Sequence, residues 1–310
     1  GKRLTGAIDP LILYVSGGNT QIIAGENGKY RVFGETTDMG IGNMLDKFAR
    51  EIGIPFPGGP KIEELAKNGR NLLNLPYSVK GMDTSFSGIF TAAINHLAKG
   101  ESVQDICYSI QETAFSMLCE TLERAIYTTG KREILLTGGV ARNVKLREMI
   151  VDMAHQSGCT VHETPLEYCM DNGTMIAQAA MLMFQNGIRQ TIEQTAVDQR
   201  FRIDDAPAPW INGRIKSIEW GKGAESLIEQ GNFLGNTCII KKRISKNYRN
   251  STIDGKILKE RTGKELKILA RGVESGLNFP KLFDYNAKEM AIIMEKIDGK
   301  LLGKCLDEET

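Results

Sequence analysis

The chain of 310 residues holds no run of eighteen apolar residues, so no segment reads as a membrane-spanning helix, and no charged and then apolar leader precedes Leu11. Its six cysteines are widely spaced and include no C-x-x-C pair, which excludes a zinc ribbon and argues against a disulfide framework. A cytoplasmic, reducing setting is the expectation. The three histidines, His96, His155 and His162, include no pair at i and i+4, so a helix-borne metal motif is missing and all three read as structural or exposed. Charge of one sign is missing too, since 39 Lys and Arg against 38 Asp and Glu leave a net +1. That excludes a strong global field, and contact with nucleic acid has to come from a local basic patch or from partner subunits. The opening GKRLTGAID has no Met and meets a strong strand almost at once, from which the chain is expected to begin inside a domain.

What is present suffices for two domains with cores of their own, at a hydrophobic content of 41% and a charged content of 25% that are ordinary for globular protein. Residues 11–20, LILYVSGGNT, run from an apolar strand into paired glycines, and Gln21, Ile22 and Ile23 begin a returning strand. Gly17 and Gly18 leave main-chain N–H groups uncovered by side chains, so a phosphate can approach closely; an ordinary hairpin is the alternative. Residues 133–137, EILLT, followed by Gly138, Gly139 and a helix to about Ala154, form a second turn compatible with a nucleotide. Asn143, at that helix start, is either a ribose or base ligand or a plain helix-start residue.

Between the two turns, Met44, Leu45, Phe48, Ala49 and Ile52 recur at helical spacing. Asp46 falls on another face, where a solvated carboxylate is the alternative to a ligand. Gly58, Gly59 and Pro60 interrupt the chain before a helix from Lys61, in which Glu63 favours the helix dipole by a few tenths up to about 1 kcal/mol. Residues 83–88, DTSFSG, read as a polar turn ahead of a helix starting near Ile89, and residues 102–127 as a long helix that packs the core without chemistry. A short strand is expected at 161–163, and Asp171 is either the N-cap of a helix from Thr174 to about Asn186 or a metal ligand.

The composition shifts at residues 204–213, DDAPAPWING, to that of a linker, which divides the chain into a first domain at 1–205, a linker at 206–215 and a second domain at 216–310. Strands are expected at 215–220, 226–230, 237–241 and 291–296, with a helix at about 252–272. An apolar strand ending in Lys241, followed by a helix carrying Glu265, is the skeleton of a protein-kinase N-lobe. Lys241 is the cation expected to be buried, while Lys242, Arg243, Lys246 and Arg249 read as a solvated or nucleic-acid-facing run. No H-x-D catalytic loop or D-F-G follows before Thr310.

Taken together, six stretches in order resemble the universal tRNA threonylcarbamoyltransferase subunit, the ASKHA-fold protein of the KEOPS complex. They are YVSGGNTQ at 14–21, GNMLDKFAR at 42–50, PGGPKIEELA at 57–66, KGMDTSFSG at 80–88, LTGGVARN at 136–143 and DNGTMIA at 171–177. GKGAES at 221–226, IIKKRISKNYR at 239–249 and RTGKEL at 261–266 resemble the small RIO-related kinase fused to that subunit in archaea. The resemblance implies an α/β ASKHA nucleotide-binding domain followed by an α+β kinase-like N-lobe. It implies that Tyr14, Val15, Ser16, Gly17 and Gly18 line the adenylate phosphate site and that Asp46, Gly59, Glu63 and Asn143 hold ribose and adenine. Tyr14 and Asp171 would touch one divalent metal, iron or zinc. In the second domain Lys241 and Glu265 would be the catalytic ion pair, and Gly223, Ala224, Glu225 and Lys241 would hold the phosphates of ATP with Mg.

The activity so implied is transfer of a threonylcarbamoyl group from threonylcarbamoyl-AMP to the adenosine beside the tRNA anticodon, with a serine/threonine kinase or ATPase regulating the complex. The implied partners are tRNA, threonylcarbamoyl-AMP and other KEOPS subunits, and no membrane. The H-x-x-x-H pair that the family carries upstream of its glycine turn does not occur here, nor does the kinase catalytic loop, so both ends are expected to be truncated. Residues 250–254, NSTID, depart from the family's His-Pro and Leu-Asp. A non-catalytic nucleotide-binding scaffold or regulatory subunit is the alternative from another class, and a metallopeptidase has no support without the paired histidines.

Overall fold

A computed structural model of the chain describes residues 1–213, 215 and 223–299. It divides into two compact units, Gly1–Ile218 with Asn247–Arg249, and Glu219–Lys246 with Asn250–Thr310.

In the first unit, α1 (Lys2–Thr5) precedes β1 (Leu11–Val15), β2 (Thr20–Glu26) and β3 (Lys29–Glu35). Then come α2 (Ile41–Glu51), α3 (Gly59–Ala66), the short strands β4 (Val79–Lys80) and β5 (Asp83–Thr84), α4 (Ser87–Ala98) and α5 (Val103–Thr129). The unit continues with β6 (Glu133–Thr137), α6 (Val144–Ser157), β7 (Thr160–Glu163) and α7 (Gly173–Gln185). One mixed sheet has the order β3-β2-β1-β6-β7, antiparallel on one side of β1 and parallel on the other. Alternate residues of β1, namely Leu11, Leu13 and Val15, point into the core, as a period of two requires. The parallel pairing puts the C-terminal ends of β1 and β6 side by side, with Tyr14 opposite Thr137. Both glycine turns leave the sheet at that edge.

Helix α5 is buried on nearly all sides, against the sheet and against α3, α4 and α6. Its apolar side chains pack the core as expected, and Gln111, Glu112, Glu120 and Glu123 are buried in it as well. Helix α4 begins at Ser87, two residues before the expected Ile89, because Asp38 takes the Ser87 N–H at 2.9 Å and caps the earlier turn. Helix α7 is apolar in sequence, yet none of its residues is buried.

The stretch expected to be a linker belongs to this unit. Ala208 and Ile211 are only 1% and 4% exposed, and Ala208 N–H donates to Gly28 O while the N–H groups of Gly28 and Asn27 donate to Ile211 O and Gly213 O. Asp204 Oδ1 accepts from Val32 N–H on β3 at 3.0 Å. Prolines at 207 and 209 suit an extended strap laid along a hairpin as well as they suit a free linker, and the two buried apolar side chains decide between the two.

In the second unit, β8 (Ser226–Phe233), β9 (Asn236–Arg243), α8 (Ser251–Glu274), β10 (Leu282–Asn286) and β11 (Ala291–Glu295) form an antiparallel sheet of order β10-β11-β9-β8 beside one helix. Strand β10 was not expected from the sequence; its Phe283 stacks on Phe233 of β8 with ring centroids 6.0 Å apart. The strand expected at 215–220 and Gly221 lie, except for Ile215, outside the described residues. No helix among the described residues is long and apolar enough to cross a membrane.

Candidate functional site

The glycine turn after β1 is a closed loop of Ser16, Gly17, Gly18 and Asn19. Ser16 N–H donates to Asn19 O at 2.8 Å, and Asn19 N–H returns a bond to Ser16 Oγ at 3.1 Å. Neither glycine of the turn has a positive φ; a Cβ on Gly17 would stand 3.3 Å from Asn43 Oδ1 and one on Gly18 would meet nothing within 4 Å. The N-terminus of α2 is pressed onto the loop. Gly42 N–H donates to Ser16 O at 3.1 Å, Asn43 N–H to Gly17 O at 2.9 Å, and Ile41 N–H to Thr20 Oγ1 at 2.9 Å. A Cβ on Gly40 would stand 2.3 Å from Gly17 O, and one on Gly42 would stand 2.7 Å from Ser16 O. The first-turn donors of α2 are thereby spent on the loop. What the loop offers outward is the N–H groups of Gly17 and Gly18, which are exposed and bonded to no acceptor among the described residues.

Asp38 secures the approach to this junction and had no role in the sequence reading. Its carboxylate accepts from Ser85 Oγ at 2.6 Å, Met39 N–H at 2.7 Å, Ser87 N–H at 2.9 Å and Phe86 N–H at 3.0 Å. Partial burial opposes its ionisation, but the hydrogen bonds from Ser85, Ser87 and Phe86 outweigh it and hold the carboxyl well below the usual carboxylate range.

The second turn meets the first through Gly138. Its φ of 102° favours glycine, and a Cβ there would lie 2.2 Å from Val15 O. A short 3-10 turn (Gly139–Arg142) then delivers Asn143, whose Oδ1 caps α6 by accepting from Leu146 N–H at 3.0 Å. Its Nδ2 donates to Gln111 Oε1 at 2.7 Å. Glu63, half-buried on α3, accepts from Val144 N–H, the first residue of α6, at 2.8 Å. Asp46 accepts from Gly58 N–H at 2.8 Å and Gly59 N–H at 3.3 Å, so it organises the start of α3 rather than sitting solvated. The structure thus joins Gly17 and Gly18 to α2, Val15 to Gly138, Asp46 to Gly59, and Glu63 to the residue after Asn143.

Asp171 is not drawn into this constellation. It is exposed, and the N-cap of α7 is its neighbour Asn172, which accepts from Met175 N–H at 3.0 Å. The capping alternative for Asp171 is corrected accordingly. No group of three or more His, Cys, Asp or Glu side chains converges among the described residues. Tyr14 and Asp171 are two donors at most, short of the three or four that hold a catalytic zinc, so these residues alone do not fit a metal centre and no chemical step is derived through one. The buried thiols are no substitute as nucleophiles: burial pushes Cys107 up to about 12 and Cys119 higher.

In the second unit Lys241 Nζ stands 2.5 Å from Glu265 Oε1, linking β9 to α8. Arg243 bonds both Glu265, at 2.7 Å, and Glu225, at 3.1 Å, and Arg261 holds the other Glu225 oxygen at 2.7 Å. Lys241 is 25% exposed and so only half-buried, although β9 is an inner strand of its sheet. The expectation that it is the buried cation is corrected. Lys246 and Arg249 are the buried ones, and Arg249, a residue of the first unit, pairs with Glu120 at 2.6 Å with both side chains almost fully covered. The basic run is therefore not simply solvated.

Two glycine turns at the carboxyl edge of adjacent parallel strands, the first returning into β2 beneath the N-terminus of α2 and the second leading to α6, define a nucleotide-binding α/β protein of ASKHA-like type with a mixed sheet. Residues 2–178 match the family model of TsaD, tRNA N6-adenosine threonylcarbamoyltransferase, and the chain belongs to that family. A probable bifunctional tRNA threonylcarbamoyladenosine biosynthesis protein of Thermoplasma acidophilum is 58% identical over 309 residues, which is 99% of this chain and 58% of that protein. The protein of the same description from Methanothermobacter thermautotrophicus is 48% identical over 96% of this chain and 57% of its own length. The chain therefore spans less than two thirds of these curated relatives. Among solved structures, full-length HypF in its phosphate- and nucleotide-bound form is similar at a TM-score of 0.49 and 12% identity, over 59% of this chain and 41% of that one.

Proposed function

We propose that the first unit holds the adenylate of threonylcarbamoyl-AMP while the threonylcarbamoyl group passes to the exocyclic amine of the adenosine beside a tRNA anticodon. The observation that carries this is the pair of donors at Gly17 and Gly18, held open by a loop that is closed on itself between Ser16 and Asn19 and bonded to α2 through the carbonyls of Ser16 and Gly17. Donors fixed before the ligand arrives stabilise phosphate charge without reorganising. Glu63, on α3 and bonded to the first N–H of α6, and Asn143, the cap of α6, are the ribose and base contacts, and Asp46 acts through Gly58 and Gly59 to place α3. Other KEOPS subunits and tRNA are the partners of this reading.

The experiment is AMP binding, with formation of threonylcarbamoyladenosine in tRNA, by the full-length protein and its Glu63→Ala variant. Loss of one such hydrogen bond is worth about 1–3 kcal/mol, so AMP affinity is expected to fall roughly tenfold to hundredfold, with tRNA modification falling alongside. Unchanged AMP affinity would remove Glu63 from the site.

For the second unit we propose a kinase-type N-lobe that binds ATP with Mg. Lys241 and Glu265 are its ion pair, and Gly223, Ala224 and Glu225 lie over the phosphates. The strand-to-helix contact between Lys241 and Glu265 supports it, and ATP binding by Lys241→Ala is its test.

A further inference from the structure

Gln111 lies on α5, 4% exposed, and enters the candidate site only as the acceptor of Asn143 Nδ2. Asn143, 7% exposed, settles which way its amide faces. Because Asn143 Oδ1 is taken up as the cap of α6, Nδ2 is the atom that reaches Gln111, and Gln111 must meet it with Oε1. The opposite sense would set two donors face to face. Gln111 Nε2 is consequently turned away from Asn143, and among the described residues no acceptor is bonded to it. Gln111 lines a hollow of about 470 Å3 together with Glu63, Arg70, Tyr108, Val144 and Lys145. That volume is within the range of small-ligand sites. The charges around the hollow are partly spent, Lys145 on Glu112 at 2.7 Å and Glu63 on Val144 N–H. A neutral donor of fixed sense is left facing the space, which suits a neutral acceptor better than a phosphate.

We propose that Gln111 is a specificity-determining residue that reads the nucleobase, its Nε2 donating to a purine ring nitrogen while the capped Asn143 locks the donor sense. This rests on the adenylate reading of the first unit. The Gln111 amide replaces a water as the donor to that nitrogen, and an analogue that carries C–H there leaves the amide unpaired.

The test is equilibrium binding of AMP and of its 1-deaza, 3-deaza and 7-deaza analogues to the full chain and to Gln111→Glu. That variant keeps an acceptor for Asn143 Nδ2, removes the donor and adds a negative charge, while Gln111→Met removes the donor without adding charge. One of the three analogues is expected to bind the unsubstituted chain about tenfold more weakly than AMP, and to bind Gln111→Glu at least as tightly as AMP does, because the new carboxylate faces the AMP ring nitrogen with an acceptor. Equal binding of all four ligands by the unsubstituted chain overturns the proposal, as does a deficit that persists undiminished in Gln111→Glu. Should Gln111→Glu fail to fold, Gln111→Met, also without a donor, gives the same comparison. No binding of AMP by the unsubstituted chain would overturn the adenylate reading itself, whereas tight AMP binding without discrimination among the analogues overturns only the role of Gln111.

Discussion

The two units build their candidate sites by opposite means. In the first, the loop of Ser16, Gly17, Gly18 and Asn19 is positioned by main-chain bonds and by the absence of side chains at Gly40, Gly42 and Gly138. In the second, Lys241, Arg243, Arg261, Glu225 and Glu265 form a lattice of half-buried ion pairs. A site of the first kind fails when volume is added; one of the second kind fails when charge is removed. Ion pairs of this exposure each contribute little to stability, so the second site can lose a charge and stay folded. The first has no such tolerance, because backbone cannot rotate out of the way.

Gly40→Ala is the sharpest way to break the contrast. Its φ of −62° and ψ of 147° suit alanine, so any damage is steric, from a methyl 2.3 Å from Gly17 O. A loss of about 1–3 kcal/mol in urea unfolding is expected, and at least about a tenfold loss of AMP affinity. Gly18→Ala, which meets nothing within 4 Å, is the control and should stay within about 0.5 kcal/mol of the unsubstituted chain. Equal costs for the two would end the account of the first site as a close fit. Next in size, Lys241→Ala should weaken ATP binding about tenfold to hundredfold by removing a charge-assisted contact, read with a fluorescent ATP analogue. AMP binding at the first unit should not move, and Arg243 remains to hold Glu265 in the variant.

The smallest effect concerns Asp38. Its folded carboxyl ionises below the unfolded value of about 4, so its stabilising contribution is present above that value and is lost as the pH falls through the folded one. Asp38→Asn should unfold at lower urea than the unsubstituted chain at pH 7, and the two midpoints should converge in acid. Midpoints separated by a constant amount at every pH would show that the carboxylate charge is not what Ser85, Phe86 and Ser87 recognise.

Strong periodicity made β1, β2, α2 and β6 legible in the sequence, and the paired glycines located both turns. The reason for the glycines was less accessible, since Gly40 and Gly42 act on residues more than twenty positions earlier. Asp38 was invisible for the same reason, three of its partners, Ser85, Phe86 and Ser87, lying 47 to 49 residues away. Asp171 and Asn172 are both good caps, and only the helix geometry chooses between them. Lys241 was rightly set opposite Glu265, but which cations are covered depends on packing: Lys246 and Arg249 end in the interior although they read as part of a solvated run. Strand β10, LFDYN, is short and half polar, with no turn signal strong enough to announce it.

The strap formed by residues 204–213 has a further consequence. Strand β3 is the outermost of its sheet, and an uncovered outer strand is a template for pairing with another molecule. Asp204 takes a main-chain N–H of β3, and Pro207, which has none to give, sits opposite Lys29. A fragment cut at residue 205, where composition alone would place the boundary, would keep Asp204 but lose Pro207, Ala208 and Ile211, baring the Lys29 end of this edge and inviting self-association. A cut placed after Gly213 would keep it sealed.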